Sequence, residues 1–393
     1  MRTVAIVSVS RSDYGIYKPL LSFAKDHPDL KMELWVAAMH LSPEFGMTVR
    51  EIEADKVPIA ERIPMTLSSD APEGASKSLG VGVMGFSQAM ARRRPDLLLV
   101  LGDRLEMLAA VVAALPFVLP VAHLHGGETT EGAIDDSIRN AISKLSHLHF
   151  VATHPFRRRL IQMGEEPWRV CVSGAPSLDK INTIPMISLK QMEKELGISL
   201  CLAPILATLH PETLRPGMAI PTAKIMFRAL EKIRRPVIVT APNADVEGRE
   251  LSRYMQKWVT EDPQSRVFVH NLGSDRYFSL LKYGSAMVGN SSSGIIEAGS
   301  FSLPVVNIGQ RQTGRPKGPH VIDVPPKSIS ILAALRRAES PSFKKSIQNK
   351  KNLYGDGKAS KRIISVLSKV PLGEKLTRKK FHSSPIIHKW LRP

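Results

Sequence analysis

At 393 residues, with 43% apolar and 23% charged side chains, the chain is too long for one ordinary core, and its composition excludes a disordered or low-complexity protein. Two cysteines, Cys171 and Cys201, stand without metal-ligand spacing, which excludes a disulfide-built scaffold and makes the cytoplasm the expected compartment. The net charge of +18 is concentrated: from Pro341 to Pro393, fourteen Lys and Arg face only Asp356 and Glu374. No apolar run reaches the roughly 18–20 residues that span a bilayer, so membrane insertion is not expected. Met1–Ser10 is a β-type run entering a polar loop, not a signal peptide.

In chain order, Thr3–Ser10, Met32–Met39, Asp96–Gly102, Pro120–His125, Leu148–Ala152 and Val170–Val172 read as buried parallel strands, each a short apolar run. Helical patterns at Ile16–Asp26, Leu105–Ala114, Asp136–Lys144 and Phe156–Gly164 lie between them. Beyond Gly174 the rhythm restarts, with strands at Ile205–Leu209, Pro236–Thr240, Arg266–Val269, Ser285–Val288 and Pro304–Ile308. Alternation over two halves predicts an α/β protein of two Rossmann-like, doubly wound domains. The expected limits are 1–177 and 178–370, with a hinge near Ala175–Ile187, where Pro176 and Pro185 interrupt both patterns. Residues 371–393 form a basic tail, read as solvated and partly disordered. It has no aromatics between Lys375 and Lys380, so nucleic acid is not an expected partner.

Ligands of such folds bind beyond the carboxyl ends of strands. The polar clusters follow that rule: Ser10-Arg11-Ser12-Asp13, Gly102-Asp103-Arg104, His125-Gly126-Gly127-Glu128, His210-Pro211-Glu212 and Asn290-Ser291-Ser292 all follow strands, and they predict a cleft between the domains. Arg11 suits a bidentate phosphate contact, or is a surface Arg on a capped turn. Asp103 and Arg104 are ionisable groups at a strand end, where unpaired charge is costly, so a functional use leads over a neighbour effect. His125 and Glu128 suit acid–base work or substrate hydrogen bonding, and His210 suits acid–base work or a phosphate. Asp135 opens a helix, an ordinary place for an acidic residue, and gains interest only if Asp103 and Glu128 share its cleft. Asn290, Ser291 and Ser292 lead into a helix-compatible segment, Ile295–Ser300. They form either a phosphate cradle with Glu297 reaching ribose hydroxyls, or a plain capped turn. Arg311 and Arg315 follow the last strand and are placed for a base or diphosphate, or are simply solvated.

Two motifs are set aside. Gly80-Val81-Gly82-Val83-Met84-Gly85 matches the dinucleotide fingerprint but follows no strand. His123 and His125 share a strand face, and His147, His149 and His154 are close in sequence. Neither set has a Cys or a helical His-x-x-x-His partner, so no metal is expected.

As an ordered set, these motifs resemble the hydrolysing UDP-N-acetylglucosamine 2-epimerases of sialic-acid and legionaminic-acid biosynthesis. The segments 10–15, 101–104, 123–128, 134–144, 148–153, 209–212, 289–294, 306–312 and 354–357 carry the likeness. The resemblance implies a glycosyltransferase-B-like fold, a UDP-sugar substrate, no cofactor, and a homo-oligomer, dimer or tetramer. It places Arg11, Arg104, Ser291, Ser292, Glu297 and Arg311 on UDP, with Asn290 in the same loop. Asp103, Glu128, Asp135 and His210 fall in its acid–base region; some members carry Glu where this chain has His125, which we keep in the set. The implied reaction removes the C2 proton as the C1–O bond to UDP breaks, then adds water to the glycal with inversion at C2. UDP-N-acetylglucosamine is the leading substrate and UDP-2,4-diacetamido-2,4,6-trideoxyglucose the alternative. A UDP-sugar glycosyltransferase is the first rival, and a catalytically dead nucleotide-sugar-binding regulator is the rival from another class.

Overall fold

The computed structural model describes residues 1–67, 69, 71–130, 134–181, 184–212, 214–242, 247–270 and 272–383. By contacts the chain falls into two compact units: unit 1 is Met1–Glu128, Asp135–Asp179 and Gly355–Pro393, and unit 2 is Thr129–Ile134 and Lys180–Tyr354. No described helix is long and apolar enough to cross a membrane.

Unit 1 is built on β1 (Arg2–Ser8), β2 (Leu30–Ala37), β3 (Ile59–Ile63), β4 (Leu97–Leu101), β5 (Val121–Leu124), β6 (Leu148–Val151) and β7 (Val170–Val172). They pair in parallel in the order β3-β2-β1-β4-β5-β6-β7. Unit 2 repeats the plan with β8 (Ile205–Thr208), β9 (Val237–Thr240), β10 (Arg266–Val269), β11 (Ala286–Gly289), β12 (Val305–Ile308) and β13 (Val321–Val324). Its order, β10-β9-β8-β11-β12-β13, is again parallel throughout. The central strands β4, β5, β8, β11 and β12 are buried at every position, which is why they read as short, mostly apolar runs without alternation. Both orders are those of a doubly wound nucleotide-binding sheet, with the reversal of winding between β1 and β4 and between β8 and β11.

Among the elements the sequence reading does not name, β3, β13 and one long helix are hidden for physical reasons. The edge strands β3 and β13 carry exposed charge at Arg62 and Asp323, as edges do, so their apolar runs are broken. The helix Pro72–Arg92 contains Gly80, Gly82 and Gly85, poor helix formers. Gly82 is there for space: a Cβ would lie 2.4 Å from the Met65 side chain and 3.0 Å from Ala109. Gly82 and Gly85 meet packed neighbours while Gly80 faces open space, and all three lie inside a helix and not after a strand, so the fingerprint is rightly set aside.

The C-terminal reading needs correction. The second domain was expected to run to 370, yet from Gly355 the chain belongs to unit 1. The helix Ala359–Lys369 is held at its start by the Asp179 carboxylate, which accepts the amides of Ala359 (2.8 Å) and Ser360. At its end, Arg2 donates to the carbonyls of Leu367 (2.8 Å) and Val370 (2.7 Å). Both charges complement the helix dipole. Residues 371–383 are mostly exposed but anchored, with Leu376 buried. Glu165 is fully buried and accepts from Lys379 (2.9 Å), Lys144 (3.0 Å) and His149 (3.0 Å). Arg169 meanwhile donates to the Leu376 carbonyl at 2.8 Å. Burial opposes the charge on Glu165, but the bonds from His149 and Lys379 win and hold its carboxyl at about 2. Residues 384–393 lie outside the described residues.

Candidate functional site

In unit 1 the chemistry gathers at the carboxyl ends of β1, β4 and β5. The turn after β1 is fixed by Asp13, whose buried carboxylate accepts the amides of Val9 (3.1 Å) and Ser10 (3.0 Å) and caps the helix Arg11–Ala24. Burial pushes the Asp13 carboxyl up, while the Arg104 charge nearby draws it down. Arg11 opens that helix, half-buried, its guanidinium made less basic by desolvation although Glu51 opposes the effect. After β4, Asp103 pairs with Arg139, a 2% exposed side chain on the helix Asp135–Leu145. Arg104 lies beside Glu106 (3.6 Å) and the Met39 sulfur (3.2 Å). Arg139 is the residue here that sequence reasoning passed over, since a first-turn Arg on a polar helix gives no signal of its buried partner.

The two strand-face histidines separate into different uses. His123 is fully buried, donates Nε2–H to the Gly102 carbonyl (2.7 Å) and meets Ser143 at 3.1 Å through Nδ1. Burial lowers it to about 3, so it stays neutral and structural. His125 leaves the strand with φ +62° and contacts Glu128 through Nδ1 at 2.6 Å. No group of three metal-ligating side chains occurs among the described residues. Asp135 begins the helix that carries Arg139, and both it and Asp103 are half-buried.

In unit 2 the corresponding positions follow β8, β11 and β12. Gly289 ends β11 with φ +132°, and a Cβ there would lie 1.7 Å from the Thr208 carbonyl oxygen on β8, so only glycine closes this pair. Asn290 ties the loop after β11 to the end of β8. Its amide is committed to His210, accepting that residue's N–H (2.7 Å) and donating to its carbonyl (2.9 Å). Gln312, 1% exposed, donates to the Asn290 carbonyl at 2.8 Å. Glu212 likewise holds the loop after β12, accepting the amides of Gln310 (3.0 Å) and Arg311 (3.2 Å). Arg315 donates to the Thr129 carbonyl at 2.8 Å.

These clamps leave Ser291, Ser292 and Ser293 half-buried at the start of the helix Ser292–Ile296, which is shorter than the sequence suggested and passes into a 3-10 turn at Ala298–Phe301. Ser291 caps it by accepting the Ser293 amide. Tyr277 donates to the Ser293 hydroxyl at 2.5 Å, and burial together with the Glu297 carboxylate pushes the phenol up. From the far side, His320 donates Nε2–H to the Gly294 carbonyl at 3.1 Å. The result is a rigid loop presenting hydroxyls and amides, with Glu297 and Arg311 half-buried beside it. Tyr277 is missed by sequence reasoning, and Glu212 and Gln312 are visible only as members of motifs, because holding a backbone segment or a neighbouring hydroxyl leaves no signal of its own.

The family model described as UDP-N-acetylglucosamine 2-epimerase matches residues 23–368. A UDP-N,N'-diacetylbacillosamine 2-epimerase (hydrolyzing) of Legionella pneumophila is 36% identical, over 96% of this chain and 99% of its own length. A GDP/UDP-N,N'-diacetylbacillosamine 2-epimerase (hydrolyzing) of Campylobacter jejuni is 37% identical, over 87% of this chain and 89% of its own. Among solved structures, the UDP-GlcNAc 2-epimerase of Neisseria meningitidis, bound to UDP-GlcNAc, superposes with a TM-score of 0.79 at 19% identity. It covers 93% of this chain and all of that one, and supports the glycosyltransferase-B-like fold.

Proposed function

The chain belongs to the UDP-N-acetylglucosamine 2-epimerase family, and from that premise we propose that it is a hydrolysing 2-epimerase of a UDP-linked 2-acetamido sugar. The observation that carries this reading is the repeated strand order, with an ionisable cluster after β4 and β5 in unit 1 and a rigid hydroxyl-and-amide loop after β11 in unit 2. The nucleotide contacts of this reading are Ser291, Ser292, Glu297, Arg311, Arg11 and Arg104. The acid–base set is Asp103, His125, Glu128 and Asp135, with His210 at the diphosphate.

In the reaction, a base takes the C2 proton while the C1–O bond to UDP breaks. Water then delivers hydroxyl to C1 of the glycal, and an acid returns a proton to the opposite face of C2. The products are UDP and the free manno-sugar. The C2–H bond is weakly acidic, so the rate depends on positioned proton carriers and on stabilising the charge of departing UDP. Arg104 and Arg311 suit the second task.

For the sugar we reverse the order given by sequence alone. The Legionella and Campylobacter relatives are described as 2-epimerases of N,N'-diacetylbacillosamine nucleotides; that sugar is 2,4-diacetamido-2,4,6-trideoxyglucose. We therefore take its UDP derivative as the substrate and UDP-N-acetylglucosamine as the second reading. Proton NMR in D₂O, with each UDP-sugar in turn and no acceptor, tests both. The expected result is free 2,4-diacetamido-2,4,6-trideoxymannose with deuterium at C2 and one UDP per sugar. Turnover of UDP-N-acetylglucosamine alone would reverse the assignment. UDP binding without turnover of either would favour a transferase.

A further inference from the structure

We infer that His125 is the catalytic group of the turn after β5, and that Glu128 acts through it as a positioning residue without touching the sugar. This rests on the epimerase reading above and assigns the division of labour inside its acid–base set.

The first observation is backbone conformation. His125 sits at φ +62°, a region that L side chains rarely adopt and that costs free energy relative to glycine. Two glycines follow it. A Cβ at Gly127 would lie 2.8 Å from the Phe156 carbonyl, so glycine is required there by space. At 125 the chain carries an imidazole in a conformation better suited to glycine. Backbone strain of this kind clusters at functional sites, and here it coincides with the contact described next.

The second observation is the contact and who is reachable in it. His125 Nδ1 and Glu128 Oε1 are 2.6 Å apart, with the carboxylate side chain 2% exposed and the imidazole 12%. A buried carboxylate on Nδ1 fixes the proton there, so Nε2 becomes the atom that accepts or returns a proton. Nε2 of His125 takes no hydrogen bond among the described residues, whereas His123 uses both its nitrogens on the protein. One histidine of the strand is structural and the other is presented.

The turn itself does not depend on the imidazole. The His125 amide donates to the Phe150 carbonyl on β6 at 3.0 Å, and Arg159 donates to the Gly127 carbonyl at 3.0 Å. His125→Gly should therefore fold, relieving the backbone, and Glu128→Gln is isosteric.

The test is a double-mutant cycle on the purified protein with its UDP-sugar. We expect each single variant to lose about 100-fold in kcat with little change in KM. Glu128→Gln should then add almost nothing once His125 is glycine, because the group it orients is gone. Added imidazole should restore His125→Gly and fail to restore the double variant. Losses that multiply, or equal rescue in both backgrounds, would overturn the proposal and put Glu128 on the sugar itself. A second measurement needs no turnover: ¹⁵N shifts of labelled histidine, with the His125 signal identified by its absence in His125→Gly. A proton on Nδ1 in the wild type supports the assignment, and a neutral ring protonated only at Nε2 overturns it. If the wild type turns over no UDP-sugar, the epimerase reading fails, while the tautomer still decides the dyad.

Discussion

Unit 1 and unit 2 wind their sheets in the same order and place different kinds of chemistry at the point of reversal. After β4 and β5 stand side chains that titrate, each held by another side chain: Arg139 on Asp103 and Glu128 on His125. After β8, β11 and β12 stand stretches of backbone held by side chains: Asn290 on His210, Gln312 on Asn290, Glu212 on Gln310 and Arg311. A strand order therefore fixes where a site forms without fixing what the site is made of. It follows that unit 1 should be sensitive to charge and unit 2 to shape.

The sharpest way to break that comparison is Asp103→Asn. If Asp103 works chemically, kcat falls by about 10²–10⁴-fold, while UDP affinity, read by calorimetry, is unchanged because Asp103 is not among the nucleotide contacts proposed above. Full turnover with unaltered UDP binding would remove Asp103 from the acid–base set. Next in size is Gly289→Ala, which adds one methyl and no charge. The Cβ overlaps the Thr208 carbonyl, so β11 must part from β8, and we expect a stability loss of more than about 4 kcal/mol. Urea unfolding measures it. An Ala variant with wild-type stability and UDP affinity would show that the unit 2 loop tolerates reshaping.

The sequence was most legible where structure is periodic or local. Every strand with an unbroken apolar run was found, because a strand buried on both faces needs no alternation. The switch-point clusters were found because doubly wound sheets put ligands at strand ends. The edge strands β3 and β13 were hidden by their own charges. The docked tail was hidden for another reason: Lys379 and Glu165 are 214 residues apart, and nothing near Lys379 shows that a buried carboxylate awaits it. The same holds at the site. Asn290 was visible as part of a loop motif, but its role as a clamp on His210, 80 residues away, was not. Residue type and spacing reveal candidate groups; which of them face the ligand depends on partners distant in the chain.

Glu212→Gln gives the smallest effect and the finest discrimination. Gln keeps an acceptor oxygen for the amides of Gln310 and Arg311 and removes only the charge. A hydrogen bond to a charged acceptor is worth about 1 kcal/mol more than one to a neutral acceptor, so the loop after β12 should loosen by roughly that amount. Arg311 moves with the loop. KM for the UDP-sugar should rise about 5–10-fold with kcat nearly constant, the mark of lost uniform binding. Glu212→Ala, which leaves two amides without their acceptor, should raise KM further in the same direction. A fall in kcat at constant KM would mean that a carboxylate of unit 2 takes part in proton transfer, and the division between a chemical unit and a shaping unit would fail at Glu212.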